Sequence, residues 1–459
     1  MNQSRAIVTG LRTGRARPLR AAVKSAQQLQ SPRWLFAFLG LEIACQLGLL
    51  LPSIAGLRVF IRTAAFLGSV FLLVILRRGP KNHPSSGAAM IAVLLTLLSF
   101  LNPSTNTPLS GVATIVLEIA VLGPIFWVPR IRIDVPTVRR LFLVYWSFSF
   151  LSGCVGVLQV YFPGRFDPVT ASVLSDQYLS ALHIVLADGT KVFRPMGLTD
   201  TPGGASFGAS FTIVFAVAFL LDRPKLWFRI LLLLSIGVSC FMLYLCQVRC
   251  AIVSTIISLV ALGLPFIKQR RFGRYLRISL PLVAVAVVTF IVAVGVGGQA
   301  VTGRLSTLIN DDASTVYYTN RGKFLSYTLS ELLPQYPLGA GLGRWGMIGT
   351  YFSDFSIADS RPLWAEIQWT GWLFDGGVPL MLAYGTALVI AMLAAGRAAI
   401  QVDDTPGRDL YKWATVALGY IVGIVALTFN CCPFVGTLGI DCWFLSGVVF
   451  AASQQLPPA

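Results

Sequence analysis

The sequence predicts an all-α integral membrane protein of about twelve transmembrane helices. Of its 459 residues, 55% are hydrophobic and only 12% are charged, where a soluble domain carries about a quarter charged residues. Apolar runs recur at the length, roughly 20 residues, that a helix needs to cross a hydrocarbon core of about 30 Å. The charge pattern is the third observation. A net charge of +17 on a soluble chain would suggest nucleic acid as partner. Here most Lys and Arg collect in alternate connections between the runs, the bias that marks cytoplasmic loops. Membrane lipid is therefore the expected partner, and no nucleic acid.

Residues 1–33 hold seven basic side chains and no acidic one, and read as a cytoplasmic tail lying against anionic lipid. The first apolar run, 34–51, is longer than the roughly 7–15 residues of a signal-peptide core, so it reads as a retained anchor. Further runs follow at 57–76, 87–102, 109–128, 141–161, 207–221, 226–245, 250–267, 278–297, 376–396, 411–430 and 433–452, giving a transmembrane domain over 34–452. The basic segments 77–86, 129–140, 222–229, 268–277 and 397–412 fall on the side of the tail. Both termini, including 453–459, are then cytoplasmic. Two long connections, 162–206 and 298–375, face outward, and Pro and Gly punctuate both, as irregular or short-helix structure requires. The second is the longest polar interval in the chain and is expected to be a large helical outer loop that carries the site.

Basic residues on the outer side are the most informative. Arg194 sits in FRPMG, Arg249 in QVRCAIV and Arg321 in NRGKF. Guanidinium groups present a fixed fork of donors that matches phosphate oxygens, so three converging ones would suit a diphosphate at the membrane surface. The alternative for each is snorkelling to the headgroups or pairing with a loop acid. Glu366, in WAEIQWTGW, is the candidate general base, because an apolar aromatic enclosure would bring a carboxyl toward a useful range. Its alternative is an ordinary acid at a helix start among interfacial tryptophans. Arg344, in the Gly-rich stretch 339–346, is a candidate phosphate ligand, and Tyr318, Gln368 and Trp369 are candidate substrate contacts. Arg58 and Arg62 share a helix face and would extend the anionic-lipid site or pair with an intramembrane acid. Glu42, Glu118 and Asp441 lie inside apolar runs and should face the bundle interior.

Other chemistries lack their residues. The only histidines are His83 and His183, the paired acids Asp311-Asp312 and Asp403-Asp404 are adjacent rather than spaced as a cage, and the eight cysteines show no metal-ligand spacing. No metal and no cofactor is expected. The cysteines read as small packing residues, with a disulfide between Cys246 or Cys250 and the Cys431/Cys432 pair left open.

Four stretches together resemble the bacterial O-antigen ligase and polysaccharide polymerase family: FRPMGLTDTPGGAS at 193–206, QVRCAIVSTIISLVAL at 247–262, NRGKFLSYTLSELLPQYPLGAGLG at 320–343 and AEIQWTGWLFDGGVPL at 365–380. The likeness spans about 190–380, and the first five helices match in hydropathy alone. In the ligase branch a histidine stands where Glu366 stands, with an acid at Asp375 and a glycine at Gly377, so the chain looks closer to the polymerase branch. The resemblance implies a fold similar to the C-type glycosyltransferases and metal-independent transfer from an undecaprenyl-diphosphate-linked glycan. It implies Glu366 and Arg321 as catalytic residues, with Arg194, Arg249 and Arg321 on the diphosphate, in the bacterial inner membrane. A chain-length regulator protein is a further expected partner. Ligase activity toward lipid A core or a protein, and a twelve-helix secondary transporter, are the alternatives.

Overall fold

The computed structural model describes residues 31–76, 82–166, 182–185, 191–246, 248–297, 315, 317–405 and 407–455. Residues 1–30 of the basic tail, most of 167–190, the start of the second long connection with Asp311-Asp312, and 456–459 lie outside the described residues. Each apolar run falls on a helix: α1 (Arg33–Leu49), α2 (Arg58–Ile75), α3 (Ser86–Ser99), α4 (Pro108–Trp127), α5 (Val135–Tyr161), α6 (Gly204–Leu221), α7 (Leu226–Cys246), α8 (Arg249–Lys268) and α9 (Phe272–Gly297). After a helical stretch at 318–335 with two π turns, here α10, come α11 (Gly346–Phe352), α12 (Gln368–Ile400), α13 (Leu410–Leu427) and α14 (Thr437–Ser453). Among the described residues nine helices are long and apolar enough to cross a membrane, while α1, α3 and α14 have 17, 14 and 17 residues. The chain is a multi-pass membrane protein, helical among the described residues apart from a small antiparallel hairpin pairing His183–Val185 with Lys191–Phe193.

Local sequence sets the helix starts. Thr107 caps α4 in a reciprocal box with Ser110, with Pro108 as first residue, and Asp134 accepts the Thr137 N–H at 3.0 Å at the head of α5. Both satisfy amides that have no partner inside the helix. Tertiary packing then runs through aromatic residues and small ones. Phe38, Trp127 and Phe444 meet in one interior cluster, and Phe142, Phe215, Phe219 and Trp413 in another. Large apolar side chains on α2, α3, α8 and α9 remain exposed, which in a membrane protein is the lipid-facing surface.

The two ends of the bundle differ chemically. One end holds Arg139, Arg271, Arg274 and Lys412, paired with Asp222, Asp404 and Asp409. His83 is buried there against Ser446 and Phe450, and burial depresses its pKa to about 3. The other end carries 194–203, the α7–α8 connection, the whole of 317–367 and the α13–α14 connection.

Candidate functional site

Two glycine motifs lock the outer segment onto α12. The helix is broken at Gly376 and Gly377, and Gly377 has φ +66°. A Cβ on Gly377 would lie 2.6 Å from Leu338 Cα, so the turn at 337–340 sits directly on backbone. Ala340 N–H donates to Phe374 O at 2.8 Å and Val378 N–H to Pro337 O at 2.9 Å. Only glycine allows both that φ and that approach. Polar side chains fasten the rest. The Asn106 amide donates to Asp354 O and Ser360 O at 2.9 and 2.7 Å, and Thr328 and Thr370 hydroxyls meet at 2.6 Å between α10 and α12.

This frame brings Arg321 of α10 to Glu366, just ahead of α12, in a direct ion pair. The Trp364 indole N–H donates to the other carboxylate oxygen of Glu366 at 3.0 Å. Burial pushes the nearby Cys432 thiol up to about 12, with Glu366 adding to the shift and Arg321 opposing it. Arg321 is also within electrostatic reach of Cys250, and so is Arg194. Arg194 lies against Gly203 and Val248: a Cβ on that glycine would be 3.3 Å from Arg194 Nη2 and 3.4 Å from Val248 Cγ2. Arg249 opens α8 between Val248 and Cys250. Arg194 thus lies beside Val248 at the head of α8, where Arg249 has its backbone, while Arg321 and Glu366 form a pair of their own.

Arg58 and Arg62 form a second cluster with Asp200, six residues beyond Arg194. Arg58 Nη2 lies 3.1 Å and Arg62 Nε 2.9 Å from Asp200 Oδ2. Arg62 Nη1 also donates to the Tyr351 hydroxyl at 3.2 Å. The pair binds an acid of the outer loop, where an acid within the membrane was the expected partner. Sequence reasoning missed Asp200, although it stands inside the quoted 193–206 stretch as the one acid among its polar residues.

Three expected contacts are structural instead. Arg344 is 6% exposed and donates to Arg361 O at 3.0 Å and Ala340 O at 2.8 Å, so its fork clamps the glycine turn, and burial lowers its pKa. Gln368 is 1% exposed and its Oε1 accepts the Phe434 N–H at 3.0 Å, tying α12 to the α13–α14 connection. Trp369 donates to Thr428 Oγ1 at 3.1 Å. The expected aromatic enclosure of Glu366 is also different. Trp372 is buried and stacked on Tyr384, while Trp364 is 70% exposed and acts as a hydrogen-bond donor. Tyr318 is exposed on the first turn of α10, one turn before Arg321.

No protein-family model and no curated protein matches the chain. The functional reading rests on this geometry and on the residue patterns above.

Proposed function

We propose that the protein is a polysaccharide polymerase that joins undecaprenyl-diphosphate-linked repeat units into O-antigen or exopolysaccharide at the periplasmic face of the bacterial inner membrane. In this reading all twelve helices cross the membrane, both termini are cytoplasmic, and the fold is similar to the C-type glycosyltransferases. The acceptor hydroxyl oxygen attacks the anomeric carbon of the donor glycan, and the bond from that carbon to the diphosphate oxygen breaks. Undecaprenyl diphosphate leaves, and the hydroxyl proton passes to Glu366. Arg321, with Arg194 and Arg249 beside it, holds the diphosphate and takes up the charge that develops on it. The donor's phosphate ester supplies the driving force, so no nucleotide is consumed.

The observation that carries the reading is the Arg321–Glu366 pair, with Arg194 sharing its neighbour Cys250. A carboxylate held beside clustered guanidiniums is the arrangement in which a phosphate-bearing donor and a hydroxyl acceptor can be engaged together. The test is reconstitution of the purified chain with a lipid-linked repeat unit, read as a ladder of lipid-linked polymer. A ladder is expected from the wild type and none from Arg321→Ala or Glu366→Gln. Transfer to a second acceptor without a ladder would replace the polymerase reading by the ligase. Movement of a solute across proteoliposomes with the lipid-linked glycan unchanged would replace it by the transporter.

A further inference from the structure

All eight cysteines are free thiols, and four of them, Cys246, Cys250, Cys431 and Cys432, gather at the outer end of the bundle. The register of α8 on α13 sets their order. The Ser254 hydroxyl donates to Gly423 O at 3.0 Å. One turn inward, a Cβ on Gly419 would lie 2.8 Å from Ser258 O, so glycine lets the two antiparallel helices touch. One turn outward from Ser254 stands Cys250, level with Leu427. The chain makes one more helical turn there, with Cys431 N–H donating to Leu427 O at 2.8 Å. A helical side chain tilts toward the N-terminus of its own helix. For Cys250 that direction is outward, toward the level of Cys431. For Cys431, on the last turn of the opposite helix, it is inward, toward Cys250. The two thiols act on each other electrostatically, and more strongly than Cys431 and its chain neighbour Cys432 do. The other two thiols are engaged elsewhere. Cys246 is buried and hydrogen-bonded to Ser206 of α6, and the Cys432 sulfur lies 3.9 Å from Ala365 O. Neither Cys250 nor Cys431 is fully buried.

We propose that Cys250 and Cys431 are a dithiol pair that closes into a disulfide, strapping the head of α8 to the α13–α14 connection. In the step, the thiolate of one cysteine attacks a sulfur of a disulfide oxidant, and one thiolate of that oxidant leaves. The second cysteine then attacks the mixed disulfide and displaces the other. The two cysteines lose two protons and two electrons, and the oxidant's disulfide becomes two thiols. Thiolate is the attacking form; burial holds Cys431 above the usual thiol range, and the Arg321 guanidinium opposes that. Cys431 O accepts the Gln368 N–H at 3.2 Å. The bond would therefore join the helix that begins at Arg249 to the connection on which the head of α12 hangs, two residues after Glu366. It needs no particular reaction at Arg321 and Glu366. Only its formation in the cell rests on the proposed periplasmic placement of this end, since that compartment is oxidising.

The test uses the full chain purified in detergent with reductant, then held at about pH 8.5 with oxidised glutathione. Free thiols are blocked with N-ethylmaleimide, and the digested chain is mapped by mass spectrometry. Two of the eight thiols should be lost to blocking, and the peptide of Cys250 should be joined to that of Cys431. Dithiothreitol should restore both thiols. The link should vanish in Cys250→Ser and in Cys431→Ser and persist in Cys432→Ser. Eight blockable thiols after oxidation, a link made through Cys246 or Cys432 instead, or a link that forms only once the chain is denatured would each overturn the proposal. The map of the wild type decides this even where a serine variant does not fold, and a failure to make polymer has no bearing on it.

Discussion

Exchanging Arg321 and Glu366 for each other separates a reacting pair from one that only holds the loop. The side chains are 38% and 22% exposed, and an ion pair that open to solvent is worth about 0.2–1 kcal/mol. Arg321→Ala and Glu366→Gln should therefore each cost less than about 1 kcal/mol of stability, a melting shift of no more than about 2–4 °C. The chemical loss is larger. Removing one preorganised donor from developing charge costs about 10²–10³-fold in rate, or about 2.7–4 kcal/mol. The double variant Arg321→Glu with Glu366→Arg restores opposite charges across the same gap, so it should regain wild-type melting. It should not regain polymer, because the carboxylate and guanidinium now stand on the wrong sides of the reacting bond. The assay is the lipid-linked ladder, run beside a thermal melt of the same preparations. A double variant that makes polymer would refute the assignment of roles, and full-length polymer from Glu366→Gln alone would remove that residue as the base.

Asp200→Asn leaves Arg58 and Arg62, with side chains 14% and 19% exposed, without their acid. The expected cost is about 1–3 kcal/mol, read as a lower melting temperature, and an unchanged melt would mean that the cluster contributes nothing. Gly377→Ala forces a residue with a Cβ into φ +66° against Leu338 and should cost at least about 1–3 kcal/mol. The control Gly385→Ala, whose Cβ would meet only Trp369 at 3.7 Å, should be neutral or mildly stabilising in the same melt. At the opposite end, the Tyr411 hydroxyl first and then Arg271 lower Asp404 from 3.8 to about 2. A depressed carboxyl stabilises the fold above its unfolded pKa, and that contribution disappears as pH falls from about 4 toward 2. Asp404→Asn should flatten the pH dependence of melting in that window, and identical slopes would exclude the linkage.

What could be read from the sequence was what is local. Helix existence depends on composition over roughly 20 consecutive residues, and every apolar run from 34–51 to 433–452 falls on a helix. The sharpest departure is at α12. The run at 376–396 begins where the chain bends, and Gln368 to Asp375 form a separate first segment that the glycines conceal in a hydropathy profile. The pairing of charges was not legible. Asp200 lies 142 and 138 residues from Arg58 and Arg62, and no spacing in the chain announces that contact. Arg344 shows the same limit from the other direction. Its neighbours in sequence suggest a ligand-facing fork, but it is buried and donates to the carbonyls of Ala340 and Arg361, and only the folded path of 340–361 decides that.

Arg321 and Glu366 can be read as a pair because residues without reactive groups fix them. Glu366 precedes a helix segment whose far end is pinned by Ala340 and Val378 amides to the turn at 337–340. Arg321 stands near the start of the helix that leads into that same turn, and Thr328 fixes this helix to Thr370 on the way. The outer segment is thus a closed path: α10, glycine turn, break in α12, first turns of α12, and back to α10. Each closure is a backbone or buried hydroxyl contact, which is stiffer than a pair of long charged side chains. The guanidinium and carboxylate do not hold this path together; the path presents them to each other. That order of cause is why the exposed ion pair can be altered without unfolding the loop that carries it.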